Sequence, residues 1–297
     1  MPNLSSTPQT VKSIAEIAPI DSIIIDCFYV AYRSFCVTPP FYSDKGIPTN
    51  AIQGLISSVR KMVRELKPAN VIIATESQYN IRDDISSTYK AGRVLPPEFA
   101  IQLDYLYALC DAAGWHVVSC HGYEADDVIA TIGRQLQITN HKGIVFTTDK
   151  DIIARVSKSS GIIGIYRVEK GHSQILDEAY YTTKWGINPQ QIPEVLALCG
   201  DSVDNIAGLP GVGLKTATKL IQQFRTVDNM LNHIPEVNPI KLRNLLQQPE
   251  SQTAISHSQS LLKLQDQLPI PDYVFQPKQA NPQKFQDLLQ ALNIKKT

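Results

Sequence analysis

Three carboxylates, Glu124, Asp126 and Asp127, fall within four positions of Gly122–Tyr–Glu–Ala–Asp–Asp–Val–Ile129. Carboxylates this close raise one another's pKa unless a cation intervenes, so the stretch is suited to a hard metal ion. It is also suited to opening a helix, because acids in a first turn complement the helix dipole. Taken alone, the stretch leaves both readings open. Two more acidic pairs lie further on, Asp149 with Asp151 in Thr148–Asp–Lys–Asp151, and Asp201 with Asp204 in Gly200–Asp–Ser–Val–Asp–Asn205. Next comes Gly208–Leu–Pro–Gly–Val–Gly213, leading into a run with Lys215, Thr216 and Lys219. Glycines let a backbone approach a ligand closely, and amides at a helix N-terminus point at anions. Such a hairpin grips a sugar–phosphate chain without reading bases. The plainer alternative, a turn between core helices, explains less of the full glycine string.

The elements that must carry these acids follow from the apolar runs. Ser22–Ile–Ile–Ile–Asp26, Val71–Ile–Ile–Ala74, 115–120 and 143–148 read as buried strands separated by helical patterns. Apolar runs that are continuous rather than alternating predict a mostly parallel sheet flanked by helices on both faces. Asp26, Glu76, Glu124 and Asp149 then recur at or just after strand ends. In such a sheet the carboxyl ends lie along one edge, where ligands bind. Solvated surface charge gives no reason for acids to recur at that topological position. Residues 161–176 read as a hairpin pair. The helix from Asn50 carries Ile52, Leu55, Ile56, Val59 and Met62 on one face and Arg60, Lys61, Arg64 and Lys67 on the other. Residues 1–20 read as a loose tail, 21–180 as the α/β core with an arch at about 77–98, and 181–297 as a helical region.

The 297 residues allow one large domain or two smaller ones, and 43% hydrophobic with 19% charged residues is an ordinary soluble composition. Basic and acidic residues balance at 28 each. A nucleic-acid binder is often basic, but an acidic metal cluster offset by a basic face gives the same neutral sum. The five cysteines are dispersed with no CxxC pair, which points to buried thiols in a reducing compartment rather than zinc or disulfides. No signal-peptide pattern opens the chain and no run spans a membrane. The expectation is a cytoplasmic protein.

Taken together, Gly122–Asp127, Thr148–Asp151 and Gly200–Asn205 running into Gly208–Gly213 resemble the structure-specific 5′ nucleases, meaning flap endonucleases and the 5′-exonuclease domain of bacterial DNA polymerase I. Asp26 with Ala31–Tyr–Arg33, and Tyr89–Lys–Ala–Gly–Arg93, resemble that family's N-terminal and arch motifs. The resemblance implies a PIN-like fold with a C-terminal helix-hairpin-helix at about 200–224. It implies 5′-3′ exonuclease and 5′ flap endonuclease activity on DNA with flaps, nicks or free 5′ ends, carried by a free-standing nuclease or an excised polymerase domain, and a monomer. Asp26, Glu124 and Asp126 would hold one Mg2+. Asp149, Asp151 and Asp204 would hold a second, with Asp127 and Asp201 nearby. Mn2+ would substitute, and K+ is a further candidate at the hairpin. Lys90, Arg93 and Arg33 would neutralise the scissile phosphate. Tyr32, Arg82, Tyr89, Gly208, Gly211, Val212, Gly213, Lys215, Thr216 and Lys219 would contact DNA. For Tyr32 and Tyr89, packing against the core is an equal alternative.

One position departs from the family. An Asp closes its second strand, and the corresponding residue here is Thr75, with Glu76 beside it. On a strand, one step reverses the side-chain direction. Either the first metal site is weakened, leaving a branched-DNA-binding module, or Glu76 supplies the charge, which is the favoured reading. A PIN-like ribonuclease would share the acidic edge but lack the hairpin.

Overall fold

In the computed structural model, residues 11, 12, 14, 17 and 20–294 are described. The strands are β1 (Val11–Lys12), β2 (Ser22–Asp26), β3 (Asn70–Ala74), β4 (His116–Val118), β5 (Gly143–Phe146), β6 (Ile162–Glu169) and β7 (His172–Leu176). They form one sheet in the order β1-β7-β6-β5-β2-β3-β4. β2 lies between β3 and β5, parallel to both, and the pairs β3–β4 and β5–β6 are also parallel. β6–β7 is the expected antiparallel hairpin, turned by Lys170 and Gly171, both at positive φ. The expected loose tail lies largely outside the described residues, but Val11 and Lys12 pair antiparallel with Ile175 and Leu176 and extend the sheet.

The helices of the first part are α1 (Cys27–Val37), α2 (Asn50–Leu66), α3 (Ile81–Ile85), α4 (Pro97–Ala112), α5 (Ala125–Ile138) and α6 (Lys150–Ile153). Then come α7 (Glu178–Trp185), α8 (Ile192–Cys199), α9 (Leu214–Phe224), α10 (Val227–Asn232), α11 (Ile240–Leu246), α12 (Pro249–Leu262) and α13 (Pro282–Ala291). The isoleucine run of β2 alternates between two cores. Ile24 faces α5, α6 and the helical region, while Ile23 and Ile25 face α1, α2 and α4. Burial on both faces explains why the strands are apolar at every position.

Strand order reverses at β2. The chain steps from β2 out to β3 and β4, then returns to β5 on the other flank of β2. The carboxyl ends of β2 and β5 therefore border the crevice where such sheets bind ligands.

The C-terminal region is not confined to its own unit. After α12 the chain runs back along β3, β4 and the end of α4: Asn70 Nδ2 donates to Val274 O at 2.6 Å, the His116 ring pairs with Gln276 O at 2.8 Å, and Asn281 N donates to Ala112 O at 2.8 Å. The backbone passes so close to Gly114 that a Cβ there would lie 2.8 Å from Lys278 O. Phe285, Leu289 and Leu292 of α13 and its end are buried in the core formed by α1, α2 and α4. The last helix thus packs into the first core, and apolar contacts run across the division expected at about residue 180.

Candidate metal centre and nucleic-acid interface

The acids reach one edge because strand ends pass directly into helices. Asp26 closes β2 and caps α1, accepting from Tyr29 N at 3.0 Å, and its second oxygen accepts from Thr147 Oγ1 at 2.8 Å. Asp149 follows β5 and caps α6, accepting from Asp151 N at 2.9 Å. Glu124 caps α5, with Asp126 and Asp127 in its first turn. Three helix N-termini thus converge on the carboxylates and partly offset their charge. Cap and cluster, two alternatives in the sequence, are combined in the same residues.

One oxygen from each of Asp126, Asp149 and Asp151 lies within 4.8 Å of the others. This trio crosses the two ligand sets the resemblance implies, joining Asp126 of the first to both acids of the second. Burial, and then Asp149, push the Asp126 carboxyl well up. Burial and the same neighbour raise Asp151 to about 8, and burial raises Asp26 to about 6 despite its hydrogen bonds. Asp204 is raised by desolvation, with Lys90 opposing. Acids so destabilised as anions, with oxygens already within reach of one another, suit a divalent cation with oxygen ligands.

The cations facing this edge are already engaged. Lys90 Nζ lies 2.5 Å from Glu124 Oε1. Its burial opposes the charge, but Glu124, together with Tyr89, Asp126 and Asp204, pushes the ammonium pKa up overall. Arg93 Nη2 meets Asp204 Oδ1 at 2.6 Å and stays half exposed. Asp201, expected near the metals, is ion-paired with Lys150 and accepts from Val203 N at 3.0 Å. Lys150 sits inside the Thr148–Asp151 stretch, but nothing in the sequence reveals that its partner lies some 50 residues on.

Several expected DNA contacts are placed differently. Arg82 is 3% exposed, and its guanidinium chelates Asp127 at 2.6 and 2.8 Å. Asp127 is fully buried in that pair and also accepts from Gln265 N at 2.8 Å and Glu124 N at 3.2 Å, so it lies behind the acid cluster rather than in it. Tyr89 is buried and donates to Glu124 Oε2 at 2.9 Å, leaving no ring face for a base. Tyr32 stacks on both Phe28 and Phe35 and meets Phe99 edge-on, so its ring is largely committed to packing while 36% of the residue stays exposed. Arg33 is exposed and lines a cavity of about 310 Å³ with Ser34, Gly54 and Lys61; it pairs with none of the clustered acids among the described residues.

In the hairpin, α8 and α9 flank Gly200–Gly213. Gly208 and Gly200 are needed for a backbone crossing: a Cβ on Gly208 would meet Cys199 C at 2.2 Å. Gly208 therefore serves packing, and Val212 is likewise buried in the core. Gly211 (φ +78°) and Gly213 are different, because a Cβ at either would meet nothing within 4 Å. The fold leaves that space open. The amides of Gly213, Leu214 and Lys215 have no acceptor among the described residues, and Lys215 and Lys219 are exposed beside them. Thr216 is half-buried, its amide bonded to Gly213 O at 3.0 Å.

At the departing position, strand parity decides the geometry. Ile72 and Ala74 face the α5 side and Ile73 the α4 side. Continuing the alternation, Thr75 turns to α4 and shares a 2.7 Å hydrogen bond with Tyr107. Glu76 falls on the acid side. Desolvation pushes its carboxyl up and Lys90 pulls it down, with Glu124 raising it again, although the residue keeps an exposed face.

Residues 21–186 match the family model of the 5′-3′ exonuclease N-terminal resolvase-like domain, and 187–286 that of the 5′-3′ exonuclease C-terminal SAM fold. The chain is 35% identical over 241 residues to DNA polymerase I of Bacillus subtilis, covering 79% of this chain but 27% of that protein. It is 31% identical over 212 residues to a 5′-3′ exonuclease of Aquifex aeolicus, covering 71% and 72%. Among solved structures, the T5 D15 protein co-crystallised with metal ions matches with a TM-score of 0.68 at 17% identity, over 91% of this chain and 99% of that one. The catalytic core of Rad2 in complex with DNA substrate matches at 0.61 and 14%, over 95% and 90%. Among the described residues, no helix is long and apolar enough to cross a membrane.

Proposed function

The chain belongs to the 5′-3′ exonuclease family, and from that premise we propose that it is a divalent-metal-dependent nuclease cutting DNA at 5′ flaps, nicks and free 5′ ends in replication and repair. The observation that carries this reading is the convergence of Asp126, Asp149 and Asp151 at the carboxyl edge of the sheet, with the open-faced hairpin as a second grip on DNA. The T5 D15 flap endonuclease, which shares the fold, was solved with DNA and metal ions, and this favours an enzyme over a weakened binding module.

Asp126, Asp149 and Asp151, with Asp26, Glu124 and Asp204, would hold the metal, and Mg2+ suits an all-oxygen set. When bound, a pair of such ions supplies an activated water and stabilises the leaving oxygen. Thr147 and Tyr89 hold Asp26 and Glu124 in orientation through hydrogen bonds. Lys90 and Arg93 stand at the edge as charged donors that exchange a carboxylate for the scissile phosphate, where negative charge develops. Glu76 would supply the charge that the family's Asp brings at position 75, directly to the first ion or through water. Leu214 and Lys215 amides, with Lys215 and Lys219, bind duplex phosphates without base readout.

The test is cleavage of a 5′-labelled flap DNA beside a matched RNA, with Mg2+, with Mn2+ and with chelator. Metal-dependent release from the DNA supports the reading. Preference for RNA would return the chain to a PIN-like ribonuclease, and inertness of both to a binding module.

A further inference from the structure

The Arg82 guanidinium makes four hydrogen bonds and one further ion pair. Nη1 meets Asp127 Oδ2 at 2.6 Å and Glu124 Oε2 at 3.1 Å. Nη2 meets Asp127 Oδ1 at 2.8 Å and Lys263 O at 3.1 Å, and Nε meets Leu261 O at 3.0 Å. Arg82 therefore joins three parts of the chain: the base of the arch at α3, the Glu124 corner of the acid edge, and the C-terminal end of α12. One turn earlier on α12, buried Ser258 donates to Ala207 O at 2.9 Å. Ala207 immediately precedes Gly208, where the hairpin crosses its own backbone. Ser258 and Leu261 are three residues apart, so their anchor points differ by about 4.5 Å along the helix. A single turn of α12 is thus the common post for the hairpin strand and for the acid corner. The far end of the arch is tied to the same region, since Lys90 N donates to Asp204 O at 3.1 Å and Arg93 Nη2 to Val203 O at 3.2 Å.

We propose that Arg82, acting through the last turn of α12, fixes the offset between the hairpin's grip on duplex DNA and the acid cluster, and so sets which phosphodiester is cut. The proposal rests on the nuclease reading above. Arg82 is in this view a positioning residue: it is buried and committed to Asp127, Glu124 and two backbone carbonyls, and presents no face to DNA. The geometry makes the readout a position rather than only a rate. Successive phosphates on one strand of a duplex advance about 3.4 Å along the axis. Slack of that size between grip and cluster moves the cut by one nucleotide, and it is less than one turn of the post.

The experiment maps single-turnover products at nucleotide resolution on a 5′-labelled flap, comparing the wild-type chain with Arg82→Lys and Ser258→Ala. Lysine keeps the charge but cannot fork between Asp127, Glu124 and the two carbonyls. Ser258→Ala removes one neutral hydrogen bond far from the acids, and circular dichroism checks that each variant is folded. The expected result is a several-fold rise in products displaced by one nucleotide in both variants, with KM for the flap little changed. If folded variants cut only where the wild type cuts, however slowly, the proposal is wrong and Arg82 merely stabilises the fold. If the wild-type chain cleaves no nucleic acid with any divalent metal, the nuclease reading fails and takes this proposal with it.

Discussion

Asp127 separates two roles that its position in the sequence confuses. If it is the buried partner of Arg82, its loss destabilises the metal-free protein; if it is a metal ligand, its loss relieves repulsion and costs only metal affinity. The carboxylate accepts four hydrogen bonds, two from Arg82, one from Gln265 N and one from Glu124 N. Removing one member of a buried ion pair costs about 3–5 kcal/mol. Arg82 keeps Glu124 and two carbonyls, which places Asp127→Ala toward the lower half of that range. At roughly 2–4 °C per kcal/mol for a domain somewhat smaller than this chain, the melting temperature should fall by about 6–15 °C. Asp127→Asn should also fall, because its NH2 group puts a donor against donors. Asp149→Asn should not, since it keeps the cap on α6 while removing a charge that repels Asp126 and Asp151. The measurement is thermal unfolding followed by circular dichroism, in chelator at neutral pH. A shift below about 2 °C for Asp127→Ala, far under what the loss of a buried ion pair requires, would overturn the assignment of Asp127 to that pair.

Asp149→Asn and Asp151→Asn should abolish metal-dependent cleavage while flap binding stays intact in a gel-shift or anisotropy titration. At Gly213 a Cβ would meet no atom within 4 Å and φ is ordinary, so Gly213→Val should fold normally yet weaken duplex binding for every sequence, with a salt slope shallower by about 0.9 for each phosphate no longer held. Glu76→Gln should raise the Mg2+ concentration for half-maximal single-turnover cleavage, while Thr75→Ala, whose hydroxyl meets Tyr107, should leave it in place; a silent Glu76→Gln removes Glu76 from the site. In chelator, stability should decline as pH rises through about 6 and about 8. Asp26 and Asp151 have folded pKa values above their unfolded ones, so their contribution is complete at low pH and lost as each ionises. A melting temperature flat across that window, or one equally steep in Asp151→Asn, would contradict this.

The acid edge was legible in the sequence because its signal is local and repeated: an apolar strand, an acid at its end, a helical pattern after it. Asp26, Glu124 and Asp149 each carry that signature, and the topology needed only a parallel sheet to bring them together. What stayed hidden depends on partners distant in sequence. Arg82 among acids and an arch motif reads as a DNA contact, because the carbonyls of Leu261 and Lys263 that fill its donors lie some 180 residues away. The glycines show the same limit. Gly208 and Gly213 look equivalent in the string, but one is forced by a chain crossing and the other left open to ligand, and only the neighbours in space tell them apart. Strand parity did predict that Thr75 and Glu76 diverge, though not that Tyr107 waits for the threonine.

The return of α13 into the first core has a consequence for how the protein is made. Phe285, Leu289 and Leu292 fill space beside α1, α2 and α4 that nothing earlier in the chain occupies, and residues 274–281 cover the outer strand β4. A growing chain on the ribosome that has delivered β2 through β7 holds every acid of the first part but an unfinished apolar wall. Until α13 is added, the core of α1, α2 and α4 lacks these three side chains. The apolar wall behind the acid edge is therefore completed only after the hairpin has been made, because α13 follows it in the chain.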